Sequence, residues 1–455
     1  MRTARLTAVR CASLLALLAG LTGCGGTPAG PACLETNGGQ EACDGLDNDC
    51  DGTTDEPDTP LCEAGAHEIV ACLDAACQRT ACQDGWLDGD GERATGCELP
   101  EACAPSPAFD FGAQAPWFPC VGLGPVATRL TQTTLFDQVD QYFGAEDRRT
   151  VEASAELPAQ GCFGQVGLLL ELGCPADGQC DYWDRTASLG LVPPDGEPEI
   201  ELARYITPYR TGLCALLDVS ELASRLRGAV ALRSSVDTWV GPDSSQGHGW
   251  RVSARLLHIP SPVAAPQLEL IPIYARTYVA LGDPGNPVAA QLPPRSVRIP
   301  ADATRVEARL LATGHGQGNA LNCAEFCDLQ PVLRVGADRY PVSTWRADCA
   351  DNPVSPQAGT WQYPRQGWCP GAVVAPARLD VSASAPAGAE VEIGLEFALS
   401  SGQEYVNTCR PGAGEVVDGV EYCSGCTWGQ RGCAYNSTGH TQPSEDVSLV
   451  LLVTR

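Results

Sequence analysis

Glu390-Val391-Glu392-Ile393-Gly394-Leu395-Glu396-Phe397 sets an apolar side chain at every second position and an acid or glycine between. That period of two belongs to a strand with one face buried and the other wet. Arg305-Val306-Glu307-Ala308-Arg309-Leu310-Leu311 repeats the pattern, and Val447 to Val453 is more uniformly apolar, as suits a strand inside a sheet. From about residue 105 onward, short runs of this kind are punctuated by Gly and Pro, a texture that predicts β-sandwich architecture. Helices are expected to be few. Asp218-Val219-Ser220-Glu221, followed by Leu222, Ala223 and Leu226, predicts one that opens on a capping box, and Phe136 to Phe143 is a second candidate. The fold class that follows is all-β.

The first residues point to a compartment. Arg2, Arg5 and Arg10 precede a short apolar core from Cys11 to Leu21, and Leu21-Thr22-Gly23-Cys24 resembles a bacterial lipoprotein processing site. Residues 1–23 are thus expected to be a signal peptide too short to span a bilayer, with Cys24 lipidated and 24–40 a flexible Gly/Pro-rich tether. Gly25 favours sorting to the outer membrane or cell surface, facing the periplasm or the exterior. With Cys11 in the leader and Cys24 lipidated, 22 of the 24 cysteines remain, an even number suited to bridges in an oxidising compartment.

Charge removes some function classes. The net charge is −27 and the chain contains no Lys, so nucleic acid is not an expected partner and Lys-nucleophile or Schiff-base chemistry is excluded. The histidines are His67, His248, His258, His315 and His440, with no His-x-His and no Met beyond the initiator, a poor supply for a copper monooxygenase.

Residues 41–104 are dense in Cys, Asp and Gly and poor in apolar runs, so bridges and metal are expected to hold them together. Within them, Asp47, Asp49, Asp51, Asp55 and Asp58 occupy positions 1, 3, 5, 9 and 12 of a loop with Gly52 at position 6. That spacing wraps oxygens around one hard cation, and Ca²⁺ is the ion expected in residues 47–58. Cys43-Asp44-Gly45-Leu46-Asp47-Asn48-Asp49-Cys50-Asp51-Gly52 resembles the acidic metal-binding repeats of MopE-like bacterial surface proteins.

A second motif carries candidate chemistry. Cys180-Asp181-Tyr182-Trp183-Asp184-Arg185 places a carboxylate between an indole and a guanidinium, and a bridge from Cys174 to Cys180 would present the run on a small rigid loop. Amide hydrolysis requires an activated water, stabilisation of an oxyanion and a proton for the leaving amine. Asp184 suits the first task and Arg185 or Arg365 the second, while Trp183, Trp239 and Trp368 offer flat faces for sugar rings.

From about Thr134 to Arg455 the chain resembles the peptide-N-glycosidase F family. The resemblance rests on Cys180 to Arg185, Arg204-Tyr205-Ile206-Thr207-Pro208-Tyr209, Asp237-Thr238-Trp239, Gly314-His315-Gly316, Cys323-Ala324-Glu325-Phe326-Cys327 and Arg365-Gln366-Gly367-Trp368-Cys369-Pro370-Gly371, taken together and in order. It implies two packed eight-stranded jelly-roll-like sandwiches, over 105–262 and 263–455, with a site in the cleft between them. It implies hydrolysis of the amide joining an asparagine side chain to N-acetylglucosamine in an N-glycoprotein or glycopeptide, with no cofactor for catalysis. It places the essential carboxylate on Asp184, a supporting acid on Glu325 and an ordering guanidinium on Arg365. Substrate contacts fall on Trp183, Arg185, Asp237, Trp239, His315 and Trp368, and disulfides on Cys174 to Cys180, Cys323 to Cys327 and Cys349 to Cys369.

Departures from the family pattern touch specificity. Asp237 stands where Glu is expected, Phe326 where Trp is expected, and a Trp near His315 is missing. Cys409 to His440, with four cysteines, reads as an extra bridged loop. The competing reading is a surface lipoprotein that binds glycans or peptides without turnover.

Overall fold

The computed structural model describes residues 33–56, 61–88, 91–92, 94–103, 117, 120, 130–159, 162–176, 178–194, 196–262, 265–281, 286–316, 324–399, 415–417, 420–422 and 443–455. Residues 1–23, expected to be a signal peptide, lie outside the described residues, as do Cys24, Asp58, Cys323 and the cysteines and histidine of 409–440. Two compact units emerge, one of residues up to Asp84 with Gly91–Cys97, the other of Gly85–Asp90 with Glu98–Arg455.

The smaller unit contains a hairpin of Glu68–Leu73 against Ala76–Cys82 and four disulfides, Cys33–Cys50, Cys43–Cys72, Cys62–Cys77 and Cys82–Cys97. Among its described residues Cys97 is the one buried hydrophobic side chain, so cross-links do the work a core does elsewhere.

The larger unit is two sandwiches of the same topology. The first consists of β1 (Thr131–Gln141), β2 (Thr150–Leu157), β3 (Phe163–Gly173), β4 (Thr186–Val192), β5 (Ile200–Ile206), β6 (Leu213–Asp218), β7 (Gly228–Val236) and β8 (Trp250–Pro260). They form sheets in the orders β6-β3-β8-β1 and β5-β4-β7-β2, all antiparallel. The second consists of β9 (Glu269–Ala280), β10 (Arg295–Arg298), β11 (Arg305–His315), β12 (Leu329–Val335), β13 (Asp338–Pro341), β15 (Ala377–Asp380), β16 (Glu390–Leu399) and β17 (Ser444–Thr454), in the orders β9-β17-β11-β15 and β10-β16-β12-β13. Each is an eight-stranded jelly roll, as expected. A further two-residue strand, β14 (Ala372–Val373), belongs to the second half of the chain but pairs with β5, extending a sheet of the first sandwich.

The strands predicted from alternation are present. In β16, Ile393, Leu395 and Phe397 are buried while Glu390 and Glu392 are exposed. In β11 and β17 both faces are covered. Val306, Ala308, Leu310 and Ala312 join Val447, Leu449, Leu451 and Val453 in the second core, whereas Val450 and Leu452 pack into the first. Several other inward positions are polar. Arg309 pairs with Glu221 at 2.6 Å and donates to the Glu201 carbonyl at 2.9 Å, and Ser448 donates to the Glu201 carboxylate at 2.6 Å. Arg204, fully buried, makes a bidentate pair with Glu201 at 2.9 and 2.6 Å.

Both predicted helices need correction. Phe136 to Phe143 is largely strand β1, in which a bulge sits opposite Val252 to Ala254 and Gln138 has φ 51°. The bulge moves same-face side chains from i,i+2 to i,i+3, so Phe136 and Val139 both meet the first core and mimic a helical repeat. Asp218 opens only a short 3-10 helix, Ser220–Arg225, accepting from the Ser220 N–H at 2.8 Å. Glu221 does not complete a capping box because Arg309 and Arg378 of the second sandwich hold its carboxylate.

Candidate active site

The turn before β4 is fastened from beneath by a residue to which no role was assigned in the sequence. Asp181, fully buried, accepts from the Trp183 N–H at 3.0 Å, Arg185 Nε at 2.7 Å and the Thr238 hydroxyl at 2.7 Å. The Cys174–Cys180 disulfide closes the loop on its other side. So fixed, the turn presents Trp183 to solvent at 43% exposure and leaves the Asp184 side chain 15% exposed.

Asp184 meets the second sandwich through Arg365. Its Oδ2 accepts from the Tyr209 hydroxyl at 2.6 Å and lies 3.6 Å from Nη2 of Arg365, whose Nε donates to Glu325 Oε1 at 3.2 Å. One acid from each sandwich therefore shares one guanidinium, and the fold brings Asp184, Glu325 and Arg365 together. Arg365 is itself fully buried. It donates to the carbonyls of Tyr363 and Thr360 at 3.0 and 2.9 Å, with the rings of Trp368 and Phe326 at 4.8 and 5.1 Å. Held by these contacts, the guanidinium has a fixed orientation between the two acids. Glu325 is held by its neighbour as well: its N–H donates to the Gly316 carbonyl at 3.0 Å, and its Oε2 accepts from the Gly316 N–H at 3.3 Å.

Gly367 lets this happen. Its φ is 82°, and a Cβ there would lie 2.2 Å from the Ala312 carbonyl oxygen, so only glycine lets the Arg365–Cys369 segment press onto β11. The Cys349–Cys369 disulfide closes that segment. Cys327 is also disulfide-bonded, while Cys323, the partner expected for it, lies outside the described residues.

Electrostatics separate these acids from ordinary surface carboxylates. Burial raises Asp184 above the usual range, against the pull of the Tyr209 hydrogen bond and the charges of Arg365 and Arg185. Glu325 is pushed up to about 7, first by burial and then by the charge of Asp184, with Arg365 opposing. Two close acids that favour a shared proton are the arrangement by which enzymes hold a base and an acid near neutrality. Tyr209, also without an assigned role in the sequence, is raised by burial and by Asp184, so it stays a hydrogen-bond donor.

The other candidate positions divide. Asp237 and Trp239 flank Thr238, the residue tied to Asp181, and are both exposed; the Arg149 guanidinium lies 4.4 Å from the Trp239 ring and 3.7 Å from the Asp237 carboxylate. Asp237 also lines a cavity of about 510 Å³ with Arg149, Ser235 and Arg276. A larger cavity of about 620 Å³, bordered by Leu191, Pro193, Arg225 and Val230, carries no carboxylate pair, so chemistry and not volume selects the site. Arg185 is committed through Nε to Asp181. Trp368 requires correction as a sugar platform. It is 3% exposed, its indole N–H donates to the Gly314 carbonyl at 2.7 Å, and its ring lies against Arg365 and His315.

In the smaller unit the acidic residues converge differently from the loop numbering. Glu41, Asp47 and Asp49 form one group, Asp49, Asp51 and Glu56 another, with ligand oxygens in each within 4.8 Å of one another. Asp55 turns away to accept the N–H groups of Asp44 and Gly45 at 3.1 and 3.0 Å. Asp47 Oδ1 and both Glu56 oxygens are shielded from solvent without a hydrogen-bond partner, and burial together with Asp51, Glu41 and Asp49 raises the Glu56 carboxyl. Orphaned oxygens in an all-oxygen donor set fit a hard cation. Glu41 and Glu56 escaped the sequence pattern because they lie outside its alternate positions.

Comparison with known proteins bears on the same residues. Residues 287–408 match the family model of peptide-N-glycosidase F, C terminal. That stretch carries Glu325 and Arg365. The chain is 24% identical over 263 residues, 54% of its length and 71% of the relative, to peptide-N(4)-(N-acetyl-beta-D-glucosaminyl)asparagine amidase F of Elizabethkingia miricola. Among solved structures, PNGase F, a glycosylasparaginase from Flavobacterium meningosepticum, superposes with a TM-score of 0.56 at 18% identity, covering 71% of this chain and 96% of that one. PNGF-II superposes with a TM-score of 0.51 at 15% identity, covering 72% and 66%. These structures share the paired-sandwich fold.

Proposed function

We propose that this chain is a secreted, lipid-anchored amidase that hydrolyses the bond between an asparagine side chain and the first N-acetylglucosamine of N-glycosylated proteins or peptides. The observation that carries the reading is the placement of Asp184 and Glu325, from different sandwiches, on one buried guanidinium. Similarity to an asparagine amidase over 263 residues supports the same chemistry.

In the reaction, Asp184 draws a proton from water, whose oxygen attacks the side-chain carbonyl carbon of asparagine. Collapse of the tetrahedral intermediate breaks the C–N bond. The nitrogen leaves as a glycosylamine after taking a proton from Glu325, and the peptide keeps an aspartate. Asp184 serves as the base and Glu325 as the acid, and Arg365 fixes both. Exposed Trp183 and Trp239 supply apolar faces for sugar rings.

Incubation of the ectodomain with a glycopeptide in heavy-oxygen water tests this directly. One labelled aspartate per released glycan is expected by mass spectrometry. Glycopeptide retained on the protein without any labelled product would establish a binding lipoprotein instead. Anchoring is tested by palmitate labelling in cells, which Cys24→Ser should abolish.

A further inference from the structure

Alternate residues of β11 face the first sandwich and climb toward the site. Arg309 reaches Glu201 and Glu221, Leu311 packs with Ile206, and Thr313 accepts from Arg204 Nη1 at 3.2 Å. His315 ends the row. Its Nε2 lies 2.8 Å from the Thr313 hydroxyl and 3.4 Å from that of Thr186, a residue of the first sandwich two positions after Asp184. Its ring stacks on Trp368 at 5.4 Å with an interplanar angle of 24°, and Trp368 in turn underlies Arg365. The next residue, Gly316, exchanges two hydrogen bonds with Glu325.

We infer that His315 is a positioning residue, joining the strand that leads to Glu325 to the strand that follows Asp184 and so setting the separation of the two acids. The inference rests on the amidase reading of that pair for its kinetic consequence, though not for its geometry. The ring touches neither acid in the described contacts; it acts through Gly316 on one side and Thr186 on the other. Burial keeps the imidazole neutral down to about pH 4, with Asp446 opposing and Arg204 and Arg276 reinforcing, so the bridge persists through the neutral range. The Thr313 hydroxyl already accepts from Arg204 and so has its hydrogen free for Nε2 of the neutral ring, and the Thr186 hydroxyl, at 3.4 Å, shares that same nitrogen as the longer arm of the bridge.

His315→Phe keeps the stack on Trp368 and removes the bridge. We expect its melting temperature to stay within a few degrees of wild type, KM within about twofold, and kcat to fall between about tenfold and a hundredfold, as a misplacement near 1 Å produces. A second readout needs no turnover: carboxyl-carbon NMR titration of Glu325. If the gap opens, water enters and Asp184 recedes, and both changes lower the Glu325 titration from about 7 toward the ordinary carboxylate range. Thr186→Val, which deletes one hydroxyl, should move it the same way by less, and serves if the phenylalanine variant does not fold. His315→Gln, restoring a polar nitrogen, should recover part of the shift. An unchanged Glu325 titration in both His315→Phe and Thr186→Val overturns the inference. A wild-type enzyme with no amidase activity but with the shift present overturns the amidase reading alone.

Discussion

At the scale of single residues, the proposed division of labour between Asp184 as base and Glu325 as acid rests on the difference in their surroundings. Asp184 has the Tyr209 hydroxyl, Arg365 and Arg185 around it, whereas Glu325 has Arg365, the Gly316 amide and the repelling charge of Asp184. Asp184→Asn keeps the shape and removes the base, and should lower kcat/KM by about 10²–10⁴-fold while leaving the melting temperature within a few degrees. The pH rate profile should fall on the alkaline side near 7, where Glu325 loses the proton the leaving amine needs. The same group has a stability signature. Its folded value lies above the unfolded one, so between pH 4.5 and about 7 the native state holds a proton that the unfolded state has lost, and stability falls as pH rises through that window. Over about 2.5 pH units the loss is on the order of 3 kcal/mol at 1.36 kcal/mol per unit. Denaturant titration at pH 5 and pH 8 should show this loss in wild type and not in Glu325→Gln.

At the scale of elements, each strand carries two messages, one for each face. β11 shows it best: Leu310 belongs to the second core at 1% exposure, while its neighbours Arg309 and Leu311 meet the first sandwich. Leu310→Ala should therefore destabilise by about 2–5 kcal/mol, read by denaturant unfolding. Alternation in Glu390 to Phe397 and Arg305 to Leu311 made these strands legible. The bulge at Gln138 and the capture of Glu221 by Arg309 and Arg378 made Phe136 to Phe143 and Asp218 to Leu226 misleading, since neither event is local to its segment. The acidic loop of the smaller unit gives a separate expectation, that it binds calcium. Calorimetric titration of the protein should release heat on Ca²⁺ addition in wild type, diminished in Glu56→Gln and in Asp47→Asn. The absence of heat at millimolar Ca²⁺ would remove the metal from this loop.

At the scale of the whole molecule, buried polar groups tie the two sandwiches of the larger unit together across their shared face. Arg204, Glu201, Arg309, Asp446 and Ser448 are all buried there, and Arg204 alone reaches Glu201, Thr313 and the Asp446 carbonyl. Burial by itself raises the Glu201 carboxyl, and the Arg204 guanidinium outweighs it, leaving Glu201 below the ordinary range. Glu201→Ala would strand a buried guanidinium. We expect a loss of about 3–5 kcal/mol, with both sandwiches unfolding in the same transition when followed by near-ultraviolet and far-ultraviolet circular dichroism.

What the amino-acid order determined by itself was local: which stretches alternate, which turns carry cysteines, and which motifs stand at Asp184, Glu325 and Arg365. Periodicity tells a side chain which face it occupies. It does not tell that face what it will meet, and so Trp368, legible as an aromatic beside a glycine, became a buried support under Arg365. Only the tertiary structure decided that Asp184 and Glu325 share one guanidinium, that Asp181 and Tyr209 hold the turn and its acid, and that β14 crosses to the other sandwich. The physical reason is that burial, and the proton affinity it confers on an acid, depends on every neighbour in space, most of them remote along the chain.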